Sequence, residues 1–124
     1  MRAFVVLKTT DPKLDHCTLA YFGEVKPRHM RRIRSAYSYF CNAVTAPFTV
    51  PTIGFSYFGL DKDVPVLLLR FAPLESYHEV FFKRLVRDHT FGFRPHISVP
   101  NFDYQPDTVT FTSAELKTVE REMF

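Results

Sequence analysis

Short apolar blocks separated by turn residues run along the chain, and their spacing switches between a period of two and a period near that of a helix. Residues 3–9 are β-branched, aromatic and apolar, which predicts a strand. Asp11-Pro12 breaks it, because proline lacks a donor and restrains the residue before it. A second strand is predicted from about residue 16 to residue 22, ending at Gly23. Pro27 opens a helical pattern in which Met30, Ile33, Tyr37, Phe40 and Val44 share one side and arginines fill the rest, as far as Ala46-Pro47. Residues 48–59 alternate but contain Pro51 and glycines. They read as an irregular strand, closed by the turn Gly59-Leu60-Asp61-Lys62-Asp63. The block Val66-Leu67-Leu68-Leu69-Arg70-Phe71 suits a buried central strand. A second helix is predicted over 75–88, with Tyr77, Phe81 and Leu85 along one stripe, followed by strands over 93–99 and 109–119.

Blocks of strands alternating with helices argue for an α+β fold or a mixed α/β sandwich. The two halves echo each other: each supplies strands, a helix, and a His-x-Thr/Ser word on a strand. No linker, low-complexity stretch or short-period repeat interrupts the pattern.

Composition adds limits rather than identity. A chain of 124 residues is the length of a single domain (1–124), and 46% hydrophobic residues are enough to build its core. No stretch approaches the roughly 20 apolar residues that cross a membrane, and the apolar run after Met1-Arg2 stops at Lys8, too early for a signal peptide. Two cysteines, Cys17 and Cys41, form no disulfide framework, so a reducing, cytoplasmic setting is expected. The net charge of +3 fits an anionic ligand without demanding one.

The chemistry concentrates in two words. On a strand His16 and Thr18 point the same way, while Cys17 and Leu19 point into the core. His96 and Ser98 repeat the arrangement, with Ile97 and Val99 on the core side. Either copy alone also fits a half-exposed strand with its polar residues outside. Two copies in corresponding halves, both flanked by apolar residues, point to one shared site. Breaking a phosphodiester needs one group to take a proton from the attacking oxygen and another to give one to the leaving oxygen. Histidine titrates near neutrality and does either. The hydroxyls can donate to the non-bridging phosphate oxygens.

The words Leu14-Asp15-His16-Cys17-Thr18-Leu19-Ala20-Tyr21-Phe22-Gly23-Glu24-Val25 and Phe93-Arg94-Pro95-His96-Ile97-Ser98-Val99 resemble the two signatures of the 2H phosphoesterase superfamily, in its LigT-like (RNA 2′,3′-cyclic phosphodiesterase) branch. The resemblance implies a bilobal α+β fold, two pseudo-symmetric lobes of antiparallel strands with outer helices around a central cleft. It implies metal-independent cleavage of a cyclic or 2′-linked phosphodiester in a nucleotide, a cyclic oligonucleotide or an RNA end. By motif match, His16 and His96 are the acid–base pair and Thr18 and Ser98 hold the phosphate. Neither cofactor nor metal is implied, and a monomer without a protein partner is expected. Compact relatives occur in viruses and phages, where some destroy nucleotide signals of host immunity; in that case the host cytoplasm is the setting. Relatives often carry an arginine shortly after the second word, where this chain has Pro100-Asn101. The alternative is a non-catalytic module that uses the same cleft to sequester a nucleotide or RNA end.

Other residues are weighed against plainer roles. Arg94 shares the strand parity of His96 and can reach a second phosphate. Tyr57, Phe58 and Phe93 are candidates to stack on a base, or core packing. Arg28, Arg31, Arg32 and Arg34 read as the solvated face of a helix, and His29, His78 and His89 as surface histidines. Cys17 reads as a buried thiol rather than a nucleophile. A zinc site is not expected, because Asp15 has the wrong parity to join His16 and His96 and no close-spaced ligand pair exists.

Overall fold

The computed structural model describes residues 1–59, 61–85 and 93–120. The elements follow the predicted order: β1 (Arg2–Thr9), β2 (Cys17–Glu24), α1 (Pro27–Ala43), β3 (Phe48–Phe58), β4 (Val64–Leu69), α2 (Leu74–Leu85), β5 (His96–Ser98) and β6 (Thr108–Val119). Every strand pairing is antiparallel, and the strands close in the order β1-β2-β5-β4-β3-β6. This is an α+β fold of two lobes, β6-β1-β2 and β3-β4-β5. They meet at one seam through Cys17 and Ile97 and at the other through Phe48–Pro51 of β3 against Thr108–Phe111 of β6. Beyond the second seam the lobes part, because β3 goes on to pair with β4 and β6 with β1. A twofold through the β2–β5 seam would exchange β1 with β4 and β6 with β3, which is the pseudo-symmetry the repeated words implied.

Both helices lie against one side of the strands. Proline at the first position of α1 is preorganised for a helix start. Met30, Ile33, Ala36 and Phe40 form its buried stripe, and the Tyr37 hydroxyl ties the helix to β6 by donating to the Ala114 carbonyl at 3.0 Å. Arg28, Arg31, Arg32 and Arg34 are exposed, as a solvated helix face should be. Phe81 of α2 packs on Phe22 of β2 and Phe40 of α1, at 5.9 and 5.4 Å between ring centres. Each fully buried ring is worth about 1.5–3 kcal/mol. Together with Leu7, Cys17, Leu19, Leu67 and Ile97 these rings make one core on the helix side of the strands.

Two departures from simple alternation shape the other side. Cys17, Leu19 and Ile97 are fully buried as expected, but Ala20 and Phe22 are buried too, and Tyr21 is exposed. The cause is a bulge: Val6 pairs with Thr18 and Val5 with Ala20, so Leu19 is an extra residue opposite β1. Tyr21 thereby comes onto the face of Thr18. The second departure is β5, which covers only His96–Ser98 rather than 93–99. Pro95 has no N–H to offer β2, and its carbonyl instead accepts the Leu69 N–H at 3.0 Å. Pairing between β2 and β5 therefore stops at Cys17 and Ile97, and the chain before Pro95 leaves β2 uncovered. Of the predicted second helix, 86–88 fall outside the described residues, as does His89.

Candidate active site

Cys17 and Ile97 face each other across the seam, and their side chains go to the core. Continuing that antiparallel register puts Thr18 across from His96 and His16 across from Ser98, all four on the side opposite the core. Directly opposed positions bring Cβ atoms to roughly 4.5–5.5 Å, and the diagonal, which is the His16–His96 pair, spans about 7–8 Å. A tetrahedral phosphate fits such a square, with a hydroxyl and an imidazole on each side. Val6, paired with Thr18, and Val66, paired with Ser98, are fully buried on the same side and floor the square.

Each histidine is held by its Nδ1, by different means. His96 Nδ1 lies 2.7 Å from the Arg94 carbonyl, an acceptor only, so Nδ1 carries the hydrogen and Nε2 is the nitrogen left to meet a ligand. His16 Nδ1 lies 3.0 Å from Asp15 Oδ1, which also accepts the His16 backbone N–H at 2.8 Å. Asp15 was weighed in the sequence only as a metal ligand. Its place is behind the imidazole, fixing ring and tautomer. Phe58 meets the His96 ring edge-on at 4.4 Å, and the Arg94 guanidinium sits over the Phe58 ring at 4.9 Å. The stack Arg94–Phe58–His96 makes Phe58 a brace for the imidazole.

Two hollows flank the square. On the His96 side a cleft of about 420 Å³ is lined by Thr18, Leu19, Ala20, Tyr21, Gly23, His78, Phe82, Phe93, Arg94 and His96. It occupies the gap that Pro95 leaves beside β2. On the Ser98 side a shallower hollow of about 470 Å³ is lined by Pro12, Lys13, Leu14, Asp15, Ser98, Val99 and Pro100. Lys13 lies 4.7 Å over the Tyr104 ring, and Tyr104 donates its hydroxyl to Asp11. That hydrogen bond holds the Asp11 carboxyl below its usual range and pushes the Tyr104 phenol up.

Thr18, His96, Ser98, Arg94, Phe58 and Phe93 thus lie at or beside one square, and the register of the Cys17–Ile97 pair carries His16, one residue before β2, to its fourth corner. Tyr57, next to Phe58 on β3, turns to the opposite face and packs on Phe102 at 5.0 Å, away from the site. His78 is not the surface histidine that its sequence context suggested. It is half-buried in the cleft, its Nδ1 donating to the Leu19 carbonyl at 2.7 Å and its ring stacked on Phe93 at 4.1 Å and 9°. Burial pushes its pKa below the usual histidine value, against the pull of the Leu19 carbonyl and of Glu79. The signal was present in the spacing: Leu74, His78 and Phe82 recur at every fourth position on α2, so His78 continues an apolar stripe. Burial drives the Cys17 thiol up to about 12, which leaves it no nucleophile. Among the described residues no group of three His, Cys, Asp or Glu is placed to hold a metal, and no helix is long and apolar enough to cross a membrane.

No family model matches the chain, and no curated protein matches it. Solved structures do. E. coli LigT complexed with 3′-AMP superposes with a TM-score of 0.62 at 16% identity, covering 98% of this chain and 91% of that one. A protein described as a phosphoesterase gives 0.58 at 18%, covering 93% and 86%. The TT0787 protein of Thermus thermophilus gives 0.55 at 18%, covering 94% and 84%. The chain has the LigT-like fold of the 2H phosphoesterases.

Proposed function

We propose that this chain is a metal-independent 2H-type phosphodiesterase that cleaves a cyclic or 2′-linked phosphodiester in a nucleotide, a cyclic oligonucleotide or an RNA end. One observation carries the reading: His16, Thr18, His96 and Ser98 share one face across a single strand seam, with Nδ1 of both imidazoles held from behind. Both words come from one chain, so the site needs no second copy. E. coli LigT has been crystallised with 3′-AMP, with ATP and with NADP+, and the same fold here supports a nucleotide as the ligand class. Nucleotide signals of antiviral immunity lie within that class.

In the proposed reaction the phosphate sits in the square, its non-bridging oxygens accepting from the Thr18 and Ser98 hydroxyls. One histidine, neutral, takes a proton through Nε2 from a water whose oxygen attacks phosphorus. The other, protonated, gives its Nε2 proton to the departing ribose oxygen as the P–O bond breaks. The products are a phosphomonoester and a free hydroxyl, and proton exchange between the histidines and solvent restores the starting state. Positioned proton transfer of this kind typically contributes about 10²–10⁴-fold for each group. Arg94 on one side and Lys13 on the other are the cations nearest the substrate's charge.

The test is turnover of nucleoside 2′,3′-cyclic phosphates, 2′–5′ oligoadenylate and cyclic dinucleotides in the presence of EDTA, with His16→Ala and His96→Ala as controls. Cleavage by the wild type that each variant loses by at least about 10²-fold, with its fold intact, is the expected result. Full activity in both variants, or activity abolished by EDTA, sinks the mechanism. Tight binding without turnover transfers the site to sequestration.

A further inference from the structure

The cleft beside Thr18 and His96 has no task in the proton transfers above, yet both residues line it. Resting on the phosphodiesterase reading, we propose that this cleft is a nucleobase pocket, with His78, backed by Phe93, reading the edge of the base and Tyr21 offering its ring face. The size fits: about 420 Å³ lies within the range of small-molecule pockets, roughly 300–1,000 Å³, and accommodates a base with part of its sugar. So does the position, since one end of the cleft is the Thr18–His96 edge of the phosphate square. A nucleoside whose phosphate lies in the square has its base within reach.

The lining is that of a base site. Leu19, Ala20, Phe82 and Phe93 make it apolar, and few polar groups converge on it. His78 is the one whose placement calls for a ligand. Its ring is locked between the Leu19 carbonyl and the Phe93 face, so its orientation is set before anything binds. With Nδ1–H committed to that carbonyl and burial favouring the neutral form, Nε2 is an acceptor, and it asks the occupant for a hydrogen-bond donor. Adenine, cytosine and guanine supply one from an exocyclic amine on a flat ring that suits the apolar walls; a fatty chain has no donor, and a bare sugar ring would set its other hydroxyls against Leu19, Ala20 and Phe82. Tyr21, half-exposed, lines the cleft only because the bulge at Leu19 brings it to the face of Thr18. A bulge on one strand and a proline that frees its edge on the next thus combine to open a pocket beside the reacting atoms.

The experiment compares kcat/KM for adenosine 2′,3′-cyclic phosphate with that for ribose 2′,3′-cyclic phosphate, which lacks the base. It is run on the wild type, His78→Phe, which keeps a ring on Phe93 but loses the acceptor, and the surface variant Tyr21→Ala. The wild type should prefer the nucleoside substrate by about tenfold or more, the usual scale of stacking one base, and each variant should shrink that preference several-fold, chiefly through KM. No preference in the wild type, or the same preference in all three proteins, overturns the pocket. If neither substrate turns over, the phosphodiesterase reading rests on the wider substrate set above, and the pocket is judged separately by NMR titration of the His16→Ala/His96→Ala double variant with adenosine. A shift of the His78 ring protons that saturates supports the pocket. No shift at millimolar adenosine overturns it.

Discussion

The His16 and His96 ends of the square share a motif and a register and differ in everything around them. His16 has a side-chain carboxylate behind it, that of Asp15, and Asp15 itself lines an open hollow with Lys13 and Ser98. His96 has a backbone carbonyl behind it and is walled by Phe58, Arg94 and the apolar cleft that holds His78 and Phe93. The square is close to symmetric; its surroundings are not. In the proposed reaction a symmetric acid–base pair would accept a phosphodiester in either sense, and the surroundings would decide which ester oxygen leaves.

The largest test of that contrast lies in the two supports. Asp15→Asn removes the carboxylate that fixes His16 and admits the wrong tautomer. We expect kcat to fall on the order of 10²-fold, less than the roughly 10⁴-fold seen for a buried triad aspartate, because Asp15 is well exposed. Phe58→Leu takes away the brace of His96 but leaves the Arg94 carbonyl in place, so kcat should fall by less than about tenfold, an off-rotamer effect rather than a lost tautomer. Steady-state kinetics on both variants decides. Equal losses would mean that the two ends are supported alike and the contrast is only apparent.

How much of this was legible beforehand differs along the same line. The square was readable, because period-two alternation at His16–Thr18 and His96–Ser98 sets parity without knowledge of any partner strand. The element order was readable for the same reason. The cleft was not. It depends on the bulge at Leu19, which shifts Ala20, Tyr21 and Phe22 by one position, and on Pro95, which lies inside the strand predicted over 93–99 and whose missing N–H ends the seam. A similar slip on β6, where Lys8 pairs with Ser113 and Thr9 with Phe111, brings Ala114 and Leu116 toward the core after Val109 and Phe111. Bulges arise from how two strands fit each other, and one strand's pattern carries little trace of them. His78 was missed differently: a lone histidine on a helix looks like surface until the apolar stripe through it is counted.

A smaller effect is expected from the cations on the two sides. Lys13→Ala should raise KM a few-fold, in keeping with exposed charge pairs worth about 0.2–1 kcal/mol, and the increase should shrink as salt screens the interaction. Arg94→Ala should raise KM similarly and also lower kcat, since its guanidinium packs on the ring that braces His96. Measuring both constants at low and high salt separates the two. A loss at Lys13 that is independent of salt would remove it from the charge balance and leave the Ser98 hollow with no electrostatic role.

The smallest effect is one of stability, and it belongs only to the His96 side. Burial holds the His78 pKa below its ordinary value, so the unfolded chain binds a proton at His78 more readily than the folded one. Its contribution is therefore fully present above about pH 6.5, the unfolded value, and is lost as pH falls through the lower folded value. His78→Phe has no such proton to gain. Urea midpoints of wild type and variant, compared near pH 7.5 and near pH 5, should show the wild type losing more on acidification; groups common to both proteins, Asp11 and Glu115 included, cancel in the difference. Parallel losses would show that His78 meets solvent as freely in the fold as out of it. The apolar wall that separates the two approaches to the phosphate would then be far wetter than its lining of Leu19, Phe82 and Phe93 implies.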